Sequence, residues 1–426
     1  MTRTTLLLSS YLFVAAQGRA AETHGAHGAP TATPAAPRAA AQVRGPDAAS
    51  SITPTAAFDA RGTLWVVFVE GPQVYVTASE DLGKTFRAAV PVNREAEVVD
   101  ANGEARPKIA VGAKGEIYVS YTHKLEKPFT GDVRFSRSTD GRTFSAPVTV
   151  NDDRLVTGHR FDALSVSPKG DVHLFWIDKR DLERAATQKK AYAGAAVYTA
   201  VSTDAGATFA ANRKLKDHVC ECCRLAVAWK GDEPLLFWRD LMDGGVRDHS
   251  LALLDKKEEA VVRRVTEDGW QIPGCPHHGP AFAISGDGAL HLAWFTGDGA
   301  LGKGTFYRRL EAPGSKLAPP VRLGEGTTGR PQVVASGRDV VLSWRQAIDE
   351  QVSAVFAVRS SDGGGSWSKP REIARTRGEN DHPLLITHEG QVYLSWFSRG
   401  DGYRLIPVDG EPSSAPSASS TASPAP

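Results

Sequence analysis

At seven places along this chain a glycine is followed six or seven residues later by an aromatic residue, and that spacing restricts what the chain can fold into. The pairs are Gly62–Phe68, Gly115–Tyr121, Gly170–Trp176, Gly231–Trp238, Gly288–Trp294, Gly337–Trp344 and Gly390–Trp396. Successive aromatics stand 53, 55, 62, 56, 50 and 52 residues apart. The residues between glycine and aromatic are mostly apolar, so each run reads as a strand leaving a tight turn. Another short apolar run precedes each glycine, as in Lys108-Ile109-Ala110-Val111 and Gln332-Val333-Val334-Ala335. Each unit then reads as inner strand, glycine turn, aromatic-ended strand, loop, third strand, turn and outer strand. Seven such units predict an all-β chain, a seven-bladed β-propeller of four-stranded antiparallel blades spanning residues 41–409.

The seventh unit runs out after three strands, near Tyr403-Arg404-Leu405-Ile406-Pro407-Val408. Ala41-Gln42-Val43-Arg44 resembles the outer strands Pro147-Val148-Thr149-Val150 and Pro320-Val321-Arg322-Leu323. It is expected to complete the last blade and close the ring, which removes exposed sheet edges. Residues 1–21 read as an export signal: Arg3, an apolar run from Leu6 to Val14, then small residues at Ala15, Ala16, Ala20 and Ala21. The run is too short to span a bilayer. Residues 22–40, rich in Ala, Pro and His, and the Ser/Ala/Pro tail 410–426 carry too little apolar surface to offset the entropy of ordering them. A secreted or periplasmic protein is expected, with no lipid anchor and no membrane insertion.

Four further segments share a second pattern: Ser79-Glu80-Asp81-Leu82-Gly83-Lys84-Thr85-Phe86, Ser202-Thr203-Asp204-Ala205-Gly206-Ala207-Thr208-Phe209, Ser360-Ser361-Asp362-Gly363-Gly364-Gly365-Ser366-Trp367, and the one-residue-shorter Ser138-Thr139-Asp140-Gly141-Arg142-Thr143-Phe144. In each, the carboxylate can accept backbone N–H bonds from the residues after it, and the aromatic can cover the turn. The pattern resembles the Asp-box (BNR) motif of the sialidase superfamily of propellers. The resemblance implies that these turns are structural and lie opposite the functional face. It also implies an exo-glycosidase of the sialidase type, gripping a sugar carboxylate with three arginines and using an Asp acid/base with a Tyr–Glu nucleophile pair. Two departures stand out. Sialidase domains have six blades, and no Tyr–Glu pair can be matched here, Tyr403 having no Glu assigned beside it.

Strand alternation puts the loops entering the inner strands and the loops following the aromatics on one face. Candidate ligand-binding residues there are Arg106, Arg160, Arg224, Arg330, His278 and His382, with Asp178, Asp240 and Asp298 as candidate acids or bases. Arg106, Arg224 and Arg330 form the candidate carboxylate triad. A basic rim with embedded carboxylates suits an anionic ligand. A non-catalytic propeller binding a glycan or a protein is the competing reading. Lys plus Arg (50) nearly equals Asp plus Glu (49), which argues against nucleic acid as a partner. A monomer without a cofactor is expected.

All four cysteines lie in two loops on that same face: Cys220-Glu221-Cys222-Cys223-Arg224 and Gly274-Cys275-Pro276-His277-His278-Gly279-Pro280. In an exported chain they are expected to form two disulfides, with Cys275 bridged to the first loop and the remaining two paired within it. The alternative is a metal site of Cys220, Cys222, Cys223, Cys275, His277 and His278, suited to Cu(I) or Zn.

Overall fold

The computed structural model describes residues 46–410 except 48, 49, 52 and 255–259, and these form seven antiparallel sheets, one per predicted unit. Six sheets have four strands. The seventh has three among the described residues: Leu384–His388, Gln391–Ser398 and Gly402–Pro407. The fold is the predicted seven-bladed propeller. The strand expected at residues 41–44, the segments 1–21 and 22–40, and the tail beyond 410 lie outside the described residues. Closure is visible in the packing of blade 7 on blade 1. The inner strand Thr55–Phe58 lies beside Leu384–His388, and Phe58 stacks on His388 with ring centroids 4.5 Å apart. Ala56, Leu64 and Val66 share one apolar cluster with Ile386, Tyr403 and Leu405.

All seven glycines open the second strand of a blade. At Gly115 and Gly170 φ is +87° and +96°, a region costly for any residue with a Cβ. All seven aromatics are buried at the far end of that strand. A buried indole N–H seeks an acceptor: Trp176 donates to Asp178 two residues on and Trp294 to Asp268 in the loop before its blade, both at 2.7 Å. Blade faces alternate inward and outward residues, so the core is divided among the seams between blades. At one seam Trp65 and Val67 of blade 1 meet Ile109, Val119 and Tyr121 of blade 2.

The four Ser-x-Asp turns join the third and fourth strands of blades 1, 2, 3 and 6. Asp204 shows the bonding. Its Oδ1 accepts from the Ser202 hydroxyl at 2.7 Å and the Thr208 N–H at 2.9 Å, and its Oδ2 from the Thr208 hydroxyl at 2.7 Å. In Asp81 the same set, led by the Thr85 N–H, holds the carboxyl down to about 2. The bonds given for these carboxylates are made within their own turns, which accounts for them as structural groups. Asp204→Ala is therefore expected to lower the melting temperature slightly while leaving binding at the opposite face unchanged. Lost binding at an unchanged melting temperature contradicts this.

Candidate functional site

The loops that enter the inner strands meet around one side chain, Glu104, whose carboxylate is 1% exposed. Asn102 begins the loop and fixes its shape, its Oδ1 accepting the N–H groups of Glu104 and Ala105, both at 3.0 Å. The carboxylate then reaches across the ring. Its Oε2 accepts the backbone N–H of Arg224 and of Gly279, each at 2.9 Å. Its Oε1 accepts Nη1 of Arg224 at 2.9 Å and Nη1 of Arg330 at 3.2 Å. One residue from the loop before blade 2 thereby ties together the entries to blades 4, 5 and 6. Gly279 makes this possible, because a Cβ there would stand 2.3 Å from Cγ of Arg224 and 2.7 Å from the Glu104 carboxylate. Arg330 sits at a β-bulge with φ +55°, a strained conformation that turns its guanidinium inward.

Arg106 does not share the Glu104 carboxylate with Arg224 and Arg330. It donates to the Pro54 carbonyl at 3.0 Å and to Asp381 at 2.5 Å, both partners being buried. Arg345, on the second strand of blade 6, lies near this pair and donates to Asn380 at 3.1 Å. Four guanidiniums, Arg106, Arg224, Arg330 and Arg345, thus gather with two carboxylates, Glu104 and Asp381. The two histidines do not add charge. Burial and the surrounding arginines push His278 down to about 2 and His382 well below its ordinary value. His382 stands 3.6 Å from Glu104, and His278 stacks on Phe295 at 4.0 Å. Several polar atoms of this cluster are buried without a partner: Arg224 Nη2, Arg330 Nε, His278 Nδ1 and His382 Nδ1.

The candidate acids are placed differently from the expectation that they converge on the mouth. Asp178 is fully buried, accepting from the Trp176 indole at 2.7 Å and from Arg180 Nε at 3.0 Å. Asp240 is buried as well, accepting from the Ser250 hydroxyl at 2.7 Å and the Leu241 N–H at 3.1 Å, and burial raises its pKa. Asp298 is exposed in the loop after blade 5's second strand, where its main-chain carbonyl accepts from the Thr296 hydroxyl. Arg160 pairs with Asp100 at 2.5 Å and lies over the Phe161 ring. Tyr403 is packed at the seam of blades 7 and 1, its hydroxyl 3.0 Å from Ser395. Asp178 and Asp240 were read from their places after a strand-ending aromatic, and that same place makes each the acceptor for nearby donors.

The four cysteines are unbridged, contrary to the expected pair of disulfides. Cys220 Sγ is 3.8 Å from the sulfurs of both Cys222 and Cys223, whereas a disulfide requires about 2.05 Å. The two loops do meet as expected: the ligand atoms of Cys222, Cys275 and His277 all lie within 4.8 Å of one another.

No protein-family model matches the chain, and no curated protein does. Among solved structures it is similar to an ulvan lyase described as a polysaccharide lyase bound to -[GlcA(1-4)Rha3S]-. That match has a TM-score of 0.57 at 14% identity, covering 86% of this chain and 96% of the other. The polysaccharide lyase Uly1 matches with a TM-score of 0.53 at 10% identity, over 86% and 91% of the two chains. An α-L-arabinanase of Penicillium chrysogenum, complexed with arabinobiose, matches at 0.50 and 15% identity, over 75% and 96%. At these identities the likeness is one of fold.

Proposed function

We propose that this chain is an exported protein that binds an anionic carbohydrate at the channel mouth, with Arg224 and Arg330 as the principal grip. The observation that carries this reading is the excess of positive charge there, four guanidiniums against two carboxylates with both histidines neutral. Uncompensated buried cations are costly, and a carboxylate or sulfate group on the ligand supplies the missing charge through bidentate bonds. The side chains of Arg224 and Arg330 retain 12% and 15% exposure, so a ligand can reach them from the open side. Phe129, 75% exposed on the same face, offers an apolar surface for a sugar ring. The similar solved structures support a carbohydrate rather than another anion, since their descriptions name polysaccharide lyases and an arabinanase.

Hydrolysis of the sialidase type needs a free Asp acid/base together with a Tyr nucleophile activated by a Glu, not the usual pair of carboxylates, and Tyr403 is packed at the seam of blades 7 and 1 with its hydroxyl on Ser395. Asp178 and Asp240 are engaged by buried donors, Asp381 by Arg106, and Glu104 by two arginines. Recognition is therefore the reading the geometry favours over cleavage. The test is calorimetric titration with uronate-bearing and sulfated oligosaccharides beside neutral ones of equal length. Arg224→Ala is expected to weaken binding of the charged series by about 1.5–3 kcal/mol, the range for a charge-assisted hydrogen bond. Equal affinity for neutral and charged sugars, or an Arg224→Ala protein that binds as tightly as its parent, overturns the proposal.

A further inference from the structure

Three thiols pointing at one another in a protein core call for an explanation other than apolar packing. Cys220, Cys222 and Cys223 are all buried, with the Cys220 sulfur 3.8 Å from each of the other two. Two sulfurs bound to one tetrahedral zinc at about 2.3 Å stand about 3.8 Å apart. The thiols are therefore spaced as the edges of a metal's coordination shell. Cys222 belongs also to a second close group with Cys275 and His277, both exposed, so five soft donors from two loops are contiguous.

The surroundings match a negatively charged thiolate centre. Arg239 is 1% exposed, and the hydrogen bonds described for it go to three carbonyls, those of Arg247, His278 and Phe295, with Nε unpartnered. Together with Arg247 it acts electrostatically on Cys220. A buried cation without a carboxylate bond is a standing cost, which thiolates bound to a metal offset. Glu221, between the cysteines, is held by Lys179 and does not compete as a hard ligand. The carboxylate–imidazole group Asp153, His159 and Asp178 lacks this character, because Arg180 already contacts both of its carboxylates.

We propose that Cys220, Cys222 and Cys223, completed by Cys275 or His277, form a binding site for a thiophilic closed-shell metal ion, Cu(I) or Zn(II). The ion cross-links the loop entering blade 4 to the loop entering blade 5. His278 is not part of the set, since its ring stacks on Phe295. Binding displaces the thiol protons to solvent and involves no redox step. The site uses atoms distinct from the anion grip, so either proposal can fail alone.

The full-length chain, purified both as isolated and after anaerobic reduction, is to be titrated with Zn(II) and separately with Cu(I) against a competing chelator. Retained metal is counted by mass spectrometry of the desalted protein, and X-ray absorption reads the ligand shell. The expected result is one ion per chain for at least one of the two metals, with a shell of three or more sulfurs at about 2.3 Å. Cys222→Ser is expected to abolish retention. Cys275→Ser and His277→Ala alter only exposed side chains and so preserve the fold, and one of the two is expected to lower affinity at least tenfold, while no loss in either overturns the cross-link between the loops. Asp204→Ala, on the opposite face, should retain metal like the parent. Reduced protein that holds neither ion overturns the proposal, as does a shell of nitrogen and oxygen alone. So does protein isolated with the mass of two disulfides that takes up no metal once reduced.

Discussion

Glu104→Ala is expected to destabilise the protein by about 3–5 kcal/mol, the cost of removing one partner from a buried ion pair. The substitution leaves the guanidiniums of Arg224 and Arg330 without their shared carboxylate and the N–H groups of Arg224 and Gly279 without an acceptor. Against a usual total stability of about 5–15 kcal/mol, a loss of that size brings the chain near unfolding at physiological temperature. Glu104→Gln keeps the volume but turns an amide NH2 toward donors, so it is expected to fall between alanine and the parent. Urea unfolding at pH 7 measures all three proteins. An alanine variant within about 0.5 kcal/mol of the parent, the range of an ordinary surface substitution, would mean that the four contacts do not hold the loops together.

The second large effect concerns pH. His159 is buried, and burial alone would favour its neutral form. The nearby Asp132 carboxylate, the hydrogen bond to Asp153 and the charge of Asp178 outweigh that and raise its pKa from 6.5 to about 9. A raised value means that the folded state holds the proton more tightly than the unfolded chain. The stabilisation is fully present below pH 6.5 and disappears as pH climbs through about 9. The shift corresponds to about 3–4 kcal/mol. Asp132 and Asp153 are depressed in the folded state, with burial opposing and His159 lowering them, so their contribution is lost at the acid end instead. Denaturant melts from pH 6 to 9.5 are expected to show stability falling from about pH 6.5 to about pH 9. His159→Gln is expected to flatten the curve and to lie below the parent at pH 6. A parent curve as flat as the variant's would refute the assignment.

The blades were legible because each is specified locally. A glycine at positive φ and a buried aromatic six or seven residues later recur in every unit, and the signal needs no knowledge of distant residues. The Ser-x-Asp turns were legible for the same reason, since all their bonds fall within about eight residues. The mouth was legible only in part. Arg224 and Arg330 were found because the loops entering the inner strands were identified as a set. Glu104 was missed, although Asn102-Gly103 directly before it marks a turn that would present the next side chain to the same face. Its partners lie 120, 175 and 226 residues away, and no local pattern reports contacts at that range. Arg106 was read as a grip residue without sight of its partner, because nothing near it in sequence announces Asp381, 275 residues away. With the cysteines, the two loops were correctly brought together, but compartment reasoning favoured covalent pairs, whereas the sulfurs stand at a spacing that leaves them separate.

The position of Glu104 has a consequence for how the ring opens. Loops from five blades converge on this residue and its neighbours, from Glu104 before blade 2 to His382 before blade 7. No contiguous fragment of the chain short of nearly the whole ring contains the complete grip. An intermediate in which blades 2 to 7 have not yet come together would have negligible affinity for a ligand at the mouth. Ligand binding would therefore be linked to the assembly of those blades, adding RT ln(1 + [L]/Kd) to its stability. The ligand would act as a keystone, and slower proteolysis at the seams among blades 2 to 7 would be its most sensitive reporter.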